Sequence, residues 1–158
     1  MKPIIDIHSH MLPRVDDGCK SEEEALAMLR LYEEQGVEAV VCTPHFGPCG
    51  ITGADVDGAF KWLSAQPSSV KLYLGNEALV GSFEPEAAGT PGGPRKLAGT
   101  DFLLLEFDEW GAVHTDVDYF LNRMSYFSTY VRHIILAHPE RYRDLQMNPW
   151  AYREITRM

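Results

Sequence analysis

Val37-Glu38-Ala39-Val40-Val41-Cys42-Thr43-Pro44-His45 is an apolar run interrupted only by Glu38 and stopped by Thr43-Pro44. Such continuity marks a parallel strand covered on both faces, because alternation disappears when neither face meets water. Upstream, Gly36 fits the C-terminal cap of a helix, and Ser21 followed three residues later by Glu24 forms a capping box that opens it. The helix between them turns Ala25, Leu26, Leu29 and Tyr32 toward a core. Before it, Pro3 to Ile7 is apolar at positions 4, 5 and 7 and reads as a short buried strand ending at His8. Strand, helix, strand in this order predicts an α/β fold with a parallel sheet.

The same grammar continues downstream. Asp55 to Ala65 suits a second helix, and Val70 to Leu74 a third strand ending at Gly75-Asn76-Glu77. Pro85, Pro91 and Pro94, with Gly89, Gly92, Gly93 and Gly99, disfavour regular structure over residues 84–99 and point to a mobile or lid-like loop. Phe102 to Leu105 is an apolar strand closed by Glu106, Asp116 can cap a helix through Met124, and His133 to Ala137 is a strand ending at His138. Asn148-Pro149 opens a last helix that runs to the end of the chain.

The 158 residues, 45% of them hydrophobic, suit one core and one domain. A formal charge of -9, from 23 acids against 14 bases, repels a phosphate backbone and argues against nucleic acid as a partner. Met1-Lys2-Pro3 leads directly into a strand without the apolar stretch of a signal peptide or membrane span, so the expectation is a cytoplasmic protein with no membrane insertion. Cys19, Cys42 and Cys49 are odd in number and lack CxxC spacing, which favours free thiols. They also fail as phosphatase nucleophiles: a Cys-x5-Arg phosphate loop needs arginine six positions on, where this chain has Ala25, Pro48 and Asp55.

The informative pattern lies at the strand ends. Five strands run into a histidine or an acid: His8 and His10, His45, Glu77, Glu106, and His138. In parallel α/β folds the carboxyl ends of the strands open on one face, so side chains distant in sequence converge there. Imidazoles and carboxylates gathered in this way are ligands for zinc, manganese or iron. The His8-x-His10 pair alone is a weak signal; four of the six histidines at strand ends is a stronger one.

Each of these residues also has a plainer reading. Asp16 and Asp17 can shape the turn before the first helix, as Asp-Gly often does. Glu77 and Glu106 can be surface carboxylates, although Glu106 closes a strongly apolar strand, where an unpaired charge is costly. His138-Pro139 can be only a strand terminus, with Arg141 paired to Glu140. His114 and His133 fall outside the pattern, Cys42 reads as a buried strand residue, and Tyr119, Phe120, Tyr126, Phe127 and Tyr130 read as a core stripe.

Taken in order, Asp6-Ile7-His8-Ser9-His10, Asp16-Asp17-Gly18, Thr43-Pro44-His45, Gly75-Asn76-Glu77, Leu105-Glu106-Phe107 and Ala137-His138-Pro139-Glu140-Arg141 resemble the motifs of the PHP (polymerase and histidinol phosphatase) superfamily. The resemblance is to its bacterial protein-tyrosine phosphatases, which counter the tyrosine kinases of capsule and exopolysaccharide synthesis, and it spans nearly the whole chain. It implies a distorted (β/α)7 TIM-like barrel holding up to three divalent metals at its carboxyl-terminal face, commonly Mn2+, with Fe or Zn as alternatives. It assigns His8, His10, Asp17, His45, Glu77, Glu106 and His138 as metal ligands and Arg141 as the phosphate-binding arginine. The partner it implies is a phosphotyrosine protein, a bacterial tyrosine kinase foremost, and it leaves room for an oligomer.

The family pattern also includes a late Asp-x-His ligand pair, which this chain lacks up to Met158. The expectation is therefore a single PHP domain over residues 1–158 whose barrel is incomplete and whose metal cluster is short of ligands. The chemistry implied is hydrolysis of phosphotyrosine by a metal-bound hydroxide, with the phosphoryl charge neutralised by closely spaced metal ions. Two alternatives stand beside it: a phosphatase of a small ester such as histidinol phosphate, and a non-catalytic metal-binding fragment.

Overall fold

The computed structural model describes residues 3–47, 50, 54–107 and 117–157. Every strand pairing among them is parallel, in a three-stranded sheet of order β1-β2-β4 and a four-stranded sheet of order β3-β5-β6-β7. The strands are β1 Ile4–Ser9, β2 Val37–Cys42, β3 His45–Phe46, β4 Lys71–Leu74, β5 Glu77–Leu79, β6 Phe102–Glu106 and β7 His133–Leu136. The five expected strands are present, and the α/β class with parallel sheets holds.

The two short strands β3 and β5 are not legible in the sequence, and they correct where the ligands sit. Glu77 does not end a strand; it opens β5. His45 likewise opens β3. The chain leaves the first sheet after β2, passes Thr43-Pro44, and joins the second sheet at once; after β4 it does the same through Gly75-Asn76. The partners stay the same across the break, since β2 pairs with β4 and β3 with β5. Pro44 has no N–H to continue a ladder. Its carbonyl instead accepts from the Asn76 side-chain amide at 2.9 Å and from the Glu77 backbone N–H at 3.3 Å. The seam between the sheets is therefore a fixed joint that presents His45 and Glu77 side by side.

Helices α1 Glu22–Glu34, α2 Val56–Ser64, α3 Val117–Ser128, α4 Arg143–Gln146 and α5 Pro149–Ile155 cover the sheets. At the start of α1, Ser21 Oγ accepts from the Glu24 backbone N–H at 3.2 Å, while the Glu24 carboxylate reaches the Lys20 backbone N–H rather than that of Ser21, a displaced form of the expected box. Gly36 follows the helix at a φ of 73°, as its capping role requires. Helix α3 runs four residues past Met124, whereas α5 stops at Ile155, short of the chain end. The Asp116 cap, His114 and Cys49 lie outside the described residues.

The core has two main parts. Ala25, Leu29, Val40 and Leu63 pack beneath the three-stranded sheet, and Leu103, Leu105, Phe107, Phe120 and Phe127 beneath the four-stranded one. The aromatic stripe is only partly core: Phe120 and Phe127 are buried, but Tyr119, Tyr126 and Tyr130 lie on the exposed side of α3 and the turn after it. A helix has one inward face, and consecutive aromatics cannot all occupy it. Residues 84–99 form two short 3-10 turns, Pro85–Ala87 and Leu97–Gly99, tied to Asn76 through backbone and side-chain bonds at Arg95. None of these residues lines the pocket into which His8, His45 and Glu77 project, so the lid reading finds no support in their position.

Candidate metal centre

The seven residues expected to ligate metal come together in one pocket of about 670 Å³. His8 lies in β1 and His10 just beyond it, His45 and Glu77 open β3 and β5, Glu106 ends β6, and His138 lies just past β7. Asp17 arrives from the turn before α1. Glu77 is the hub, only 1% exposed: one carboxylate oxygen lies 2.9 Å from His10 Nε2, 3.1 Å from His8 Nε2 and 3.3 Å from His45 Nδ1, and the other lies 2.8 Å from His138 Nε2. Glu106 stands on the far side, 3.3 Å from both His45 and His138. Asp17 sits at the mouth, its Oδ1 3.4 Å from His45 Nε2.

Electrostatics follow from this crowding. Burial alone would lower the His10 pKa, but the bonds and charges of Asp16 and Glu77 outweigh it and raise it from 6.5 to about 10. Against the upward push of burial, His10 and His8 hold the Glu77 carboxyl far below the usual range. Asp16 is likewise lowered despite its burial, by His10 and the Gly18 backbone N–H. His45 is raised, because Glu106 and Glu77 overcome the effect of its burial.

The donor set fits divalent cations. Three groups each bring three donor atoms within 4.8 Å of one another: His8, His10 and Glu77; His10, Asp17 and His45; His45, Glu77 and Glu106. Imidazole mixed with carboxylate suits zinc, manganese or iron. His45 Nδ1 and Glu106 Oε2 are fully buried yet lack a well-formed hydrogen bond, although only 3.3 Å separates them. Buried polar atoms are seldom left unpaired, and a cation between these two would satisfy both.

Several functional groups escape a reading of the sequence. Asp16 is 2% exposed and is not merely a turn former: its carboxylate bonds His10 Nδ1 at 2.7 Å and accepts the backbone N–H groups of Gly18 and His45. Gly18 permits this closure, since a Cβ there would lie 2.0 Å from the His10 carbonyl oxygen. Tyr142 brings its hydroxyl to 3.5 Å from His138 Nδ1 while accepting the Phe107 backbone N–H. Ser9, Met28 and Tyr32 also line the pocket, although Tyr32 is legible in the sequence only as core. Burial and the Asp6 carboxylate push the Tyr32 phenol up to about 12. Arg141 lines the same pocket from an exposed position and makes no ion pair with a described residue, so the Glu140 pairing is not observed. His133 is exposed and stacks on Phe102 at the opposite ends of the strands. Cys19 and Cys42 are buried and free.

The capsular polysaccharide synthesis family CpsB/CapC matches residues 4–158. The chain belongs to this family. Among its relatives, the tyrosine-protein phosphatase YwqE of Bacillus subtilis (strain 168) is 28% identical over 156 residues, covering 92% of this chain and 58% of that one. The tyrosine-protein phosphatase CpsB of Streptococcus agalactiae serotype III (strain NEM316) is 31% identical over 165 residues, covering 98% and 64%. The fold resembles one from the crystal structures of YwqE from Bacillus subtilis and CpsB from Streptococcus pneumoniae, described as unique metal-dependent tyrosine phosphatases. The TM-score is 0.71 at 23% identity, over 97% of this chain and 62% of that one. The chain thus spans less than two thirds of the length of each of these relatives. No helix among the described residues is long and apolar enough to cross a membrane.

Proposed function

We propose that this chain carries the metal centre of a phosphotyrosine-protein phosphatase acting on the tyrosine kinase of capsule or exopolysaccharide synthesis, with Mn2+ as the favoured ion. The observation that carries the reading is the convergence of four imidazoles and the carboxylates of Asp17 and Glu106 around buried Glu77, with Arg141 on the same pocket. His8, His10, Asp17, His45, Glu77, Glu106 and His138 are the proposed ligands. Their two parallel sheets are read as parts of the distorted (β/α)7 barrel. The names of the relatives support the same activity.

Bound divalent ions supply a nucleophile at neutral pH and neutralise charge on the phosphoryl oxygens. The remaining steps belong to the protein. Arg141 forks onto two phosphate oxygens and cannot lose its proton, so it orients the ester and stabilises charge as the P–O bond breaks. Asp16 fixes the ring of His10, and Asn76 fixes the backbone joint beside Glu77. Tyrosinate, with a pKa of about 10, leaves with little help from a general acid.

The test is Mn2+-dependent release of phosphate from a phosphotyrosine peptide, a phosphoserine peptide and histidinol phosphate by the purified chain, with metal content measured in parallel. Phosphotyrosine turnover is expected, and Arg141→Ala should reduce it about 100- to 1,000-fold while retaining the metal. His8→Ala should lose metal and activity together. Preference for histidinol phosphate would transfer the site to small esters, and metal without turnover would leave a binding module.

A further inference from the structure

We propose that Asp6 and Tyr32 are positioning residues that hold a bulge in β1 and thereby aim His8 and His10 at the metal centre, an inference that rests on the metal-centre reading. The bulge is visible in the register. Asp6 lies opposite Val40 and Ser9 opposite Cys42, so Ile7 and His8 together face the single residue Val41. An extra residue in one strand leaves ladder groups unpaired and re-aims the side chains around it.

Asp6 and Tyr32 meet this irregularity at its centre. The His8 backbone N–H donates to Asp6 Oδ1 at 3.0 Å, an aspartate turning back on the residue two positions ahead. The other oxygen, Asp6 Oδ2, accepts from the Tyr32 hydroxyl at 2.6 Å, and the same hydroxyl stands 3.1 Å from Ser9 Oγ. Beyond the bulge the strand is relocked: the Ser9 N–H donates to Thr43 Oγ1 at 3.0 Å and the Thr43 N–H to the Ser9 carbonyl at 2.8 Å. Tyr32 is a firm anchor because α1 is seated in the core by Ala25 and Leu29.

Apolar packing does not do this work. Among the described residues β1 pairs with β2 alone, and Ile4, Ile5 and Ile7 are 52%, 56% and 44% exposed. A slip of one residue in a strand turns each side chain to the opposite face. The polar clamp fixes the register where a slip would carry His8 away from Glu77.

The test measures Mn2+ affinity calorimetrically and the Co2+ visible spectrum, alongside thermal unfolding in chelator, for the 158-residue chain and its variants. Asp6→Ala should weaken Mn2+ binding about 10- to 100-fold and Tyr32→Phe about 10-fold, both with an altered Co2+ spectrum. Asp6→Asn, which keeps an acceptor for the His8 N–H, should recover most of the affinity lost in Asp6→Ala. Leu63→Ala, buried in α2 and outside both the clamp and its helix, should lower the unfolding temperature while leaving affinity and spectrum intact. Wild-type affinity and spectrum in Tyr32→Phe and Asp6→Ala overturn the inference alone, as does a loss in Leu63→Ala that tracks stability. A wild-type chain that binds neither ion overturns the metal-centre reading and this inference with it. Should Asp6→Ala fail to fold, Tyr32→Phe decides.

Discussion

The two sheets approach one site with opposite degrees of preparation. On the three-stranded side the ligands are already held: His10 Nδ1 is bonded to Asp16, which is itself bonded to two backbone N–H groups, and the His8 backbone is fixed by Asp6. On the four-stranded side, beneath a dense aromatic core, His45 Nδ1 and Glu106 Oε2 are buried without a hydrogen bond. The first half is oriented by protein groups; the second holds His138 through Glu77 and Tyr142 but leaves His45 Nδ1 and Glu106 Oε2 unmet. Packing can keep unmet polar atoms from turning to solvent, whereas bonds from neighbouring groups fix the orientation of ligand rings before a metal arrives.

Glu77 belongs to both halves, so its replacement should have the largest effect. Glu77→Gln removes a buried charge that touches four imidazoles. Destabilisation of the metal-free chain by about 3–5 kcal/mol is expected, as for one partner removed from a buried ion pair. Chemical denaturation in chelator measures it, and elemental analysis should find the bound metal gone. A change below about 1 kcal/mol would mean that the two halves are not joined through this carboxylate.

A paired substitution separates the halves. In chelator, Asp16→Asn should cost about 1–3 kcal/mol, because it disturbs a bonded buried carboxylate, while Glu106→Gln should stay within about 1 kcal/mol. With Mn2+ the order should reverse. Wild type gains about 2.7 kcal/mol at an ion concentration about 100 times Kd. Glu106→Gln should lose most of that gain and Asp16→Asn only part of it, which thermal unfolding with and without Mn2+ would show. Equal losses in both conditions would erase the distinction.

The first sheet is readable in the sequence and the joint is not. Val37–Cys42 carries a nearly unbroken apolar run and the helix from Ser21 to Gly36 a clear period and caps, and both appear where their residues place them. His45–Phe46 and Glu77–Leu79 are too short to show any period, so β3 and β5 merge into loops on the page, and Glu77 reads as the end of a strand it does not belong to. The strand-end candidates are legible because histidines and acids recur where apolar runs stop, and the full ligand set, Asp17 included, follows from the motif resemblance. Asp16 and Tyr32 are not, because an aspartate before Asp-Gly looks like a turn and a tyrosine in a helix stripe looks like core. Their work depends on contacts to His10 and Asp6, which only the folded chain reveals.

The last comparison is in pH, and it probes the prepared half. In the metal-free chain the His10 pKa is raised from 6.5 to about 10, so its contribution to stability is complete below pH 6.5 and is lost as pH rises toward 10. Asp16 and Glu77 are shifted downward from 3.8 and 4.5, so their contribution is present above about pH 4.5 and is lost on acidification below it. Stability in chelator should therefore be highest between about pH 4.5 and 6.5 and decline on either side. A cation that ligates His10 must displace its proton, which makes binding tighter as pH rises. The stabilisation by Mn2+ should then grow between about pH 6.5 and 9 while the metal-free baseline falls, with proton release detectable by calorimetry in buffers of different ionisation enthalpy. An Mn2+ increment that stays constant across this range would place His10 outside the metal's coordination and leave Asp16 as a partner in a purely structural ion pair.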